Sequence, residues 1–278
     1  MERDEASQTL TSTGMMGVGQ KAPFRVLLLV MLICGPVVRA PAQLSVSLLP
    51  DTISVAAGAL LSAASLGLRP STQEMPVDID QINGFDRLAL FSYSRGLDLA
   101  SDFTQFAAGA LPLALALGIN QNQAIAAGVI YVEVLSRAFF AKNTMKFLFP
   151  RVRPWVYTAP TSGSVPELWE GNDSFPSGHA TFAFAAAAFG VTVAALDLPT
   201  SSPWFAPFVA TETSLAVVTA GLRVVSGMHF MTDVLAGAVL GAAIGVALPL
   251  IHTSRTGGTI GSQSRSLQIA VPLMAVAL

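Results

Sequence analysis

Cysteine is nearly absent from this 278-residue chain. Cys34 is the only one, so an internal disulfide and a cysteine-built metal site are both excluded. Charge is also scarce, with 12% Asp, Glu, Lys and Arg where soluble domains carry about 25%. A formal net charge of -2 and the lack of a basic stripe argue against nucleic acid as a partner. There are three histidines, His179, His229 and His252, few enough that each needs a stated role. No internal repeat, low-complexity segment or domain linker breaks the chain.

Apolar residues are abundant, at 52% hydrophobic with a mean hydropathy of +0.59. This is the composition of an integral membrane protein. Lys21 and Arg25 precede an apolar run, Val26–Val38, and Ala40-Pro41-Ala42 follows it. That is the pattern of a signal peptide cleaved after Ala42, or else of an uncleaved N-terminal anchor. Residues 1–42 are therefore expected to be a leader or anchor, 43–252 the membrane-embedded domain and 253–278 a tail. Ile53–Leu68 is apolar but short for a span, since crossing the hydrocarbon takes about 20 residues. Residues 71–104 read as a loop plus an interfacial helix. Helices are expected over 106–119, 124–149, 175–196, 204–225 and 231–251. The apolar tail 267–278 is too short to span. Gly237, Gly241 and Gly245 recur every four residues, which lets helices approach closely in a membrane. Glu133 and Arg137 share a helix face at i,i+4 and read as a structural ion pair. His252 reads as structural, and Lys142 and Arg151 as cations anchoring helix ends at the interface.

Three clusters carry chemistry. Ser174-Phe-Pro-Ser-Gly-His179 stands where a polar loop becomes a long apolar helix. Pro176 suits a helix start, Ser177 offers a hydroxyl, Gly178 admits close approach, and the helix terminus attracts an anion. Lys146, Arg153-Pro154 and Arg223 supply cationic donors for a phosphate and its transition state. His229 and Asp233 lie four apart at a helix start. There the carboxylate is expected to accept Nδ1–H and leave Nε2 free as a nucleophile. His179 remains as general acid and then base. Counting crossings puts all three clusters on one face: none is needed between Pro154 and Pro176, and two lie between His179 and Arg223.

Lys146 with Arg153-Pro154 six residues on, then Pro176-Ser177-Gly178-His179, then Arg223, His229 and Asp233 resemble in order the three motifs of the type 2 phosphatidic acid phosphatase and vanadium haloperoxidase superfamily. The likeness covers roughly residues 80–250. It implies an all-α polytopic bundle of about six helices and a metal-independent phosphatase with a phosphohistidine intermediate. By position, His229 would be the nucleophile, His179 the acid/base and Asp233 the orienting carboxylate. Lys146, Arg153, Ser177, Gly178 and Arg223 would bind phosphate. Leu222 stands where the family usually has Ser, which removes one hydrogen bond to phosphate. No cofactor is expected, and vanadate should act as an inhibitor or phosphate mimic.

The membrane context favours a lipid phosphate or pyrophosphate that diffuses in sideways between helices, with membrane lipids as the other partners. Rival readings are a phosphotransferase, a vanadium-dependent haloperoxidase and a lipid-phosphate binder without turnover. Following the family, the site is expected on the periplasmic face of a bacterial inner membrane.

Overall fold

The computed structural model describes residues 42–46, 48–68, 78–116, 121–158 and 171–255. The leader before Ala42 and the tail 267–278 lie outside them.

The described chain is a helix bundle. In order it comprises β1 (Ala42–Leu44), α1 (Leu48–Ser65), a 3-10 turn (Ile79–Gln81), α2 (Gly84–Arg87), α3 (Arg95–Ala116), α4 (Gln121–Leu148), α5 (Pro154–Thr158), α6 (Gly178–Asp197), α7 (Phe205–Val225), α8 (Met231–Ile251) and β2 (Thr253–Arg255). Six of the helices have 18 to 28 residues. Four segments, Gln123–Leu148, Gly178–Asp197, Phe205–Val225 and Met231–Ile251, are long and apolar enough to cross a membrane. The protein is thus an integral membrane protein of the all-α class. At 1.5 Å per residue α4 is about 42 Å long, more than a hydrocarbon core of about 30 Å. Its last turn, with Lys146, therefore reaches the interface.

Helix α6 is the axis of the bundle. It packs against α3, α4, α7 and above all α8, and Ala, Val, Gly, Phe and Thr side chains bury it from Ala180 to Ala194. Small residues make the α6–α8 contact possible. A Cβ at Gly237, Gly241 or Gly245 would run into the backbone carbonyls of Ser177, Thr181 and Ala185 respectively. The three glycines let the backbones meet with no side chain between them. That seam fixes the start of α8, and so Asp233, against the start of α6; Ser177 N–H donates to the Asp233 carbonyl at 3.0 Å.

Two local expectations are corrected. Residues 95–116 form one helix, not an interfacial helix followed by a separate apolar one. The polar first turns of α3 are its end at the site. Helix α6 begins at Gly178 with Ser177 as N-cap, so Pro176 precedes the cap and lies outside the first turn. Its peptide bond with Phe175 is cis. A short antiparallel ladder between β1 and β2 has no counterpart in the sequence reading. The Glu133–Arg137 pair is present at 3.0 Å. Arg137 Nη2 also donates to Ser54 Oγ at 2.7 Å, tying α1 to α4. His252 Nε2 lies 3.3 Å from Asp51 and 3.6 Å from Glu133, so it pins the end of α8 to the same contact.

Candidate active site

The three clusters converge. Lys146 ends α4, Gly178 and His179 open α6, Arg223 lies in the last turn of α7, and His229 sits just before α8. Together with Arg153 they line one cavity of about 420 Å³. Asp98, Asp102 and Gln105 of α3, Asp173, and the half-buried rings of Phe139 and Phe182 complete its walls.

Short backbone pairings hold the loops in register. Arg151 N–H donates to Asn172 O at 3.1 Å, Arg153 N–H to Gly171 O at 2.8 Å, and Ser174 N–H to Arg151 O at 2.9 Å. The Lys146–Arg153 cluster is thereby laid beside the segment that leads into α6. Trp155 N–H donates to Gly227 O at 3.0 Å, which brings in the loop after α7. Gly227 has φ +74°, and a Cβ there would meet the backbone of Phe91 and Ser92. Only glycine fits that turn.

His229 is 2% exposed. Its Nδ1 lies 2.7 Å from Ser174 O. A carbonyl can only accept, so Nδ1 carries the proton and Nε2 keeps its lone pair. Burial, aided by Arg153, Arg223 and Lys146, pushes its pKa well below that of an ordinary histidine; Asp173 pulls the other way. The ring is thus neutral. This corrects the expected partner: Asp233 Oδ2 is 3.9 Å from Nδ1. Asp233 instead accepts from Ser174 Oγ at 2.5 Å and Phe230 N–H at 2.9 Å. It steadies the residue whose carbonyl holds His229.

Arg151, expected to be an interface anchor, lies behind this arrangement. Its Nη1 donates to Asp233 Oδ1 at 2.6 Å and Thr232 Oγ1 at 2.7 Å, and its Nη2 to Asp86 Oδ2 at 2.7 Å. Its guanidinium lies 4.2 Å from the centre of the Phe230 ring. Asp86 is wholly buried and also accepts from Thr232 N–H at 3.0 Å and Oγ1 at 2.6 Å. Burial raises its pKa, but hydrogen bonds from Arg151, Thr232 and Asn83 outweigh this and hold it below the ordinary value.

The cradle cations are paired with carboxylates. Asp173 accepts from Arg153 Nε at 3.0 Å and lies 3.2 Å from Lys146 Nζ. Its own pKa is raised by burial, but Arg153 and Lys146 leave it lowered overall. Arg223 Nη1 pairs with Asp98 and donates to Ser101 Oγ at 2.9 Å. His179 Nε2 lies 2.6 Å from Asp102 Oδ1, so Asp102 accepts the Nε2 proton. Ser177 departs from its expected role. It is buried, its hydroxyl accepts from Ala180 N–H at 3.4 Å as the helix cap, and it is not among the cavity-lining residues. Lys142, the other expected anchor, does line the cavity.

The sequence reading thus missed Asp86, Asp98, Asp102, Arg151 and Asp173 as members of the site. The spacing of Asp98, Asp102 and Gln105 on one helical face at the head of an apolar run was the available signal.

The family model of the PAP2 superfamily matches residues 126–256. No curated protein matches the chain. Among solved structures, the first transmembrane PAP2-type phosphatidylglycerolphosphate phosphatase from Bacillus subtilis aligns over 84% of this chain and 96% of its own, at 18% identity and a TM-score of 0.39.

Proposed function

We propose, from the match of residues 126–256 to the family model of the PAP2 superfamily, that the chain is a membrane phosphatase that hydrolyses a lipid phosphate monoester or pyrophosphate through a phosphohistidine, without a metal. The observation that carries this reading is a neutral imidazole, His229, facing the same cavity as Lys146, Arg153, Arg223 and a second imidazole, His179. A site that only bound lipid phosphate would have no use for a buried histidine with its tautomer fixed.

The phosphate displaces the internal carboxylates from Lys146, Arg153 and Arg223, and the Gly178 N–H end of α6 faces it. These groups match the charge that spreads over its equatorial oxygens in the transition state. His229 Nε2 forms a bond to phosphorus as the bond to the leaving oxygen breaks, and that oxygen takes a proton from His179. Water then attacks the phosphohistidine, His179 takes its proton, and inorganic phosphate leaves. Asp102 competes for the His179 proton in the empty site and holds the ring until substrate enters. Phe139 and Phe182 give the cavity an apolar wall on the side of α4 and α6, which suits a lipid tail better than a soluble ester.

The test is phosphate release from a panel of lipid phosphates in excess EDTA. Turnover of at least one lipid, undiminished by the chelator, is expected. Activity lost in EDTA and restored by a divalent cation would refute the metal-free mechanism.

A further inference from the structure

We propose, building on the phosphatase reading, that Lys142 forms a second anion subsite beside the cradle and selects substrates bearing a second phosphate next to the one removed. Lys142 lies one helical turn before Lys146 on α4. At i,i+4 the two share a face, about 6 Å apart along the axis, and both line the cavity. The charge environments differ. Lys146 and Arg153 share Asp173, and Arg223 has Asp98. Among the described residues, Lys142 Nζ has as partners a neutral amide, Asn143 Oδ1 at 2.5 Å, and the face of Phe139, its centre at 4.5 Å. Asp173 attracts this ammonium from a longer range, and with no carboxylate in direct contact among the described residues its charge is incompletely compensated unless a ligand supplies the anion.

Its position fixes which anion. The Lys142 stem passes over the start of α6, where a Cβ on Gly178 would stand 3.2 Å from Lys142 Cδ. The neighbouring residue is His179, the group that serves the leaving oxygen. Lys142 therefore stands beside the phosphate that Gly178 faces, within reach of a second phosphate attached to it. Across the cavity, Asp98 and Asp102 of α3 disfavour a second anion on their side, which leaves the α4 wall as the better place for it. With a diphosphate, His229 Nε2 bonds to the terminal phosphorus and the bridging P–O bond breaks. The lipid monophosphate departs with the electron pair and the His179 proton, its charge facing Lys142. A monoester has nothing to place there.

The experiment uses the full chain in detergent and Lys142→Met, which keeps the stem and removes the charge. Binding of methylenediphosphonate and methylphosphonate, neither hydrolysable, is measured by titration calorimetry. Wild type should prefer the diphosphonate by about tenfold or more, as expected for a charged contact, and Lys142→Met should lose that preference. In turnover, Lys142→Met should lose about tenfold more kcat/KM on farnesyl diphosphate or phosphatidylglycerol phosphate than on phosphatidic acid. Whichever of the first two responds identifies whether the second phosphate is bridged directly or spaced by glycerol. A preference missing from wild type, or surviving in Lys142→Met, overturns the subsite. A preference that follows Lys142 while wild type hydrolyses no lipid phosphate would sustain the subsite and refute the phosphatase reading.

Discussion

At His229 a single hydrogen bond decides the chemistry available. The proton sits on Nδ1 because Ser174 O is its acceptor, and Asp233 reaches that carbonyl only through Ser174 Oγ. Where a carboxylate itself fixes the tautomer, its amide variant costs about 10⁴-fold in kcat. Here the tautomer survives, so Asp233→Asn should cost about 10- to 100-fold, the usual effect of a supporting partner. Steady-state kinetics on any turned-over lipid checks this, and a 10⁴-fold loss would restore Asp233 as the direct partner. Asp86 acts one contact further out. Its folded pKa lies below the ordinary 3.8. Its stabilisation is therefore complete above that value and lost as pH falls through the lower folded one. Asp86→Asn should lose about 1–3 kcal/mol at pH 7, with the gap to wild type in thermal unfolding closing only below about pH 4.

The cations and histidines of the cradle were legible as residues, because charge is rare in this chain and theirs falls at helix ends on one face. Their counter-charges were not. Asp86, Asp98, Asp102 and Asp173 sit in ordinary polar surroundings in the sequence, and the cations and histidine they pair with lie from 20 to 125 positions away. For Asp86 and Asp173 nothing local distinguishes a carboxylate that will be buried against an arginine from one that will be solvated, and for Asp98 and Asp102 the one signal was the helical face they share with Gln105. Lys142 and Arg151 were misread for the complementary reason: a cation at the end of a membrane helix has a sufficient explanation in topology alone.

Among the elements, the α6–α8 seam determines how the site is assembled. It joins the helix start that carries His179 to the helix start behind His229. The glycine spacing announced this contact, since Gly237, Gly241 and Gly245 repeat on one face and meet small residues of α6, including Ala180, Ala185 and Ala188. The continuity of α3 was harder to see, because its first turns are polar and its last are apolar, and a single helix serves both the site and the bundle. Gly241→Val should force the two backbones apart. Overpacking costs about 1–3 kcal/mol, and here backbone is what must move. A clear fall in unfolding temperature is expected, with phosphate release falling alongside it. An unchanged melting profile would mean that the seam is not tight.

For the whole molecule, the placement of the site relative to the bilayer follows from one fact. The helix ends carrying Lys146 and His179 and the loop carrying His229 lie at one end of the bundle, and the turn between α6 and α7 lies at the other. We expect the site end to face the periplasm. With Cys34 replaced by Ser, Leu88→Cys, 69% exposed at the site end, should react with a membrane-impermeant maleimide in intact spheroplasts. Ser201→Cys, in the opposite turn, should react only after lysis. The reverse pattern would place the chemistry on the cytoplasmic side.

The central claim is that His229 becomes covalently phosphorylated in a cationic cradle assembled from separate helix ends. Its most direct measurement is a rapid acid-free quench of the full-length protein with ³²P-labelled lipid phosphate, followed by mapping of the base-stable label. The account predicts phosphate on His229 in wild type, and in His229→Ala neither label nor release above about a thousandth of the wild-type rate. Label on another residue, or undiminished release by His229→Ala, would contradict it.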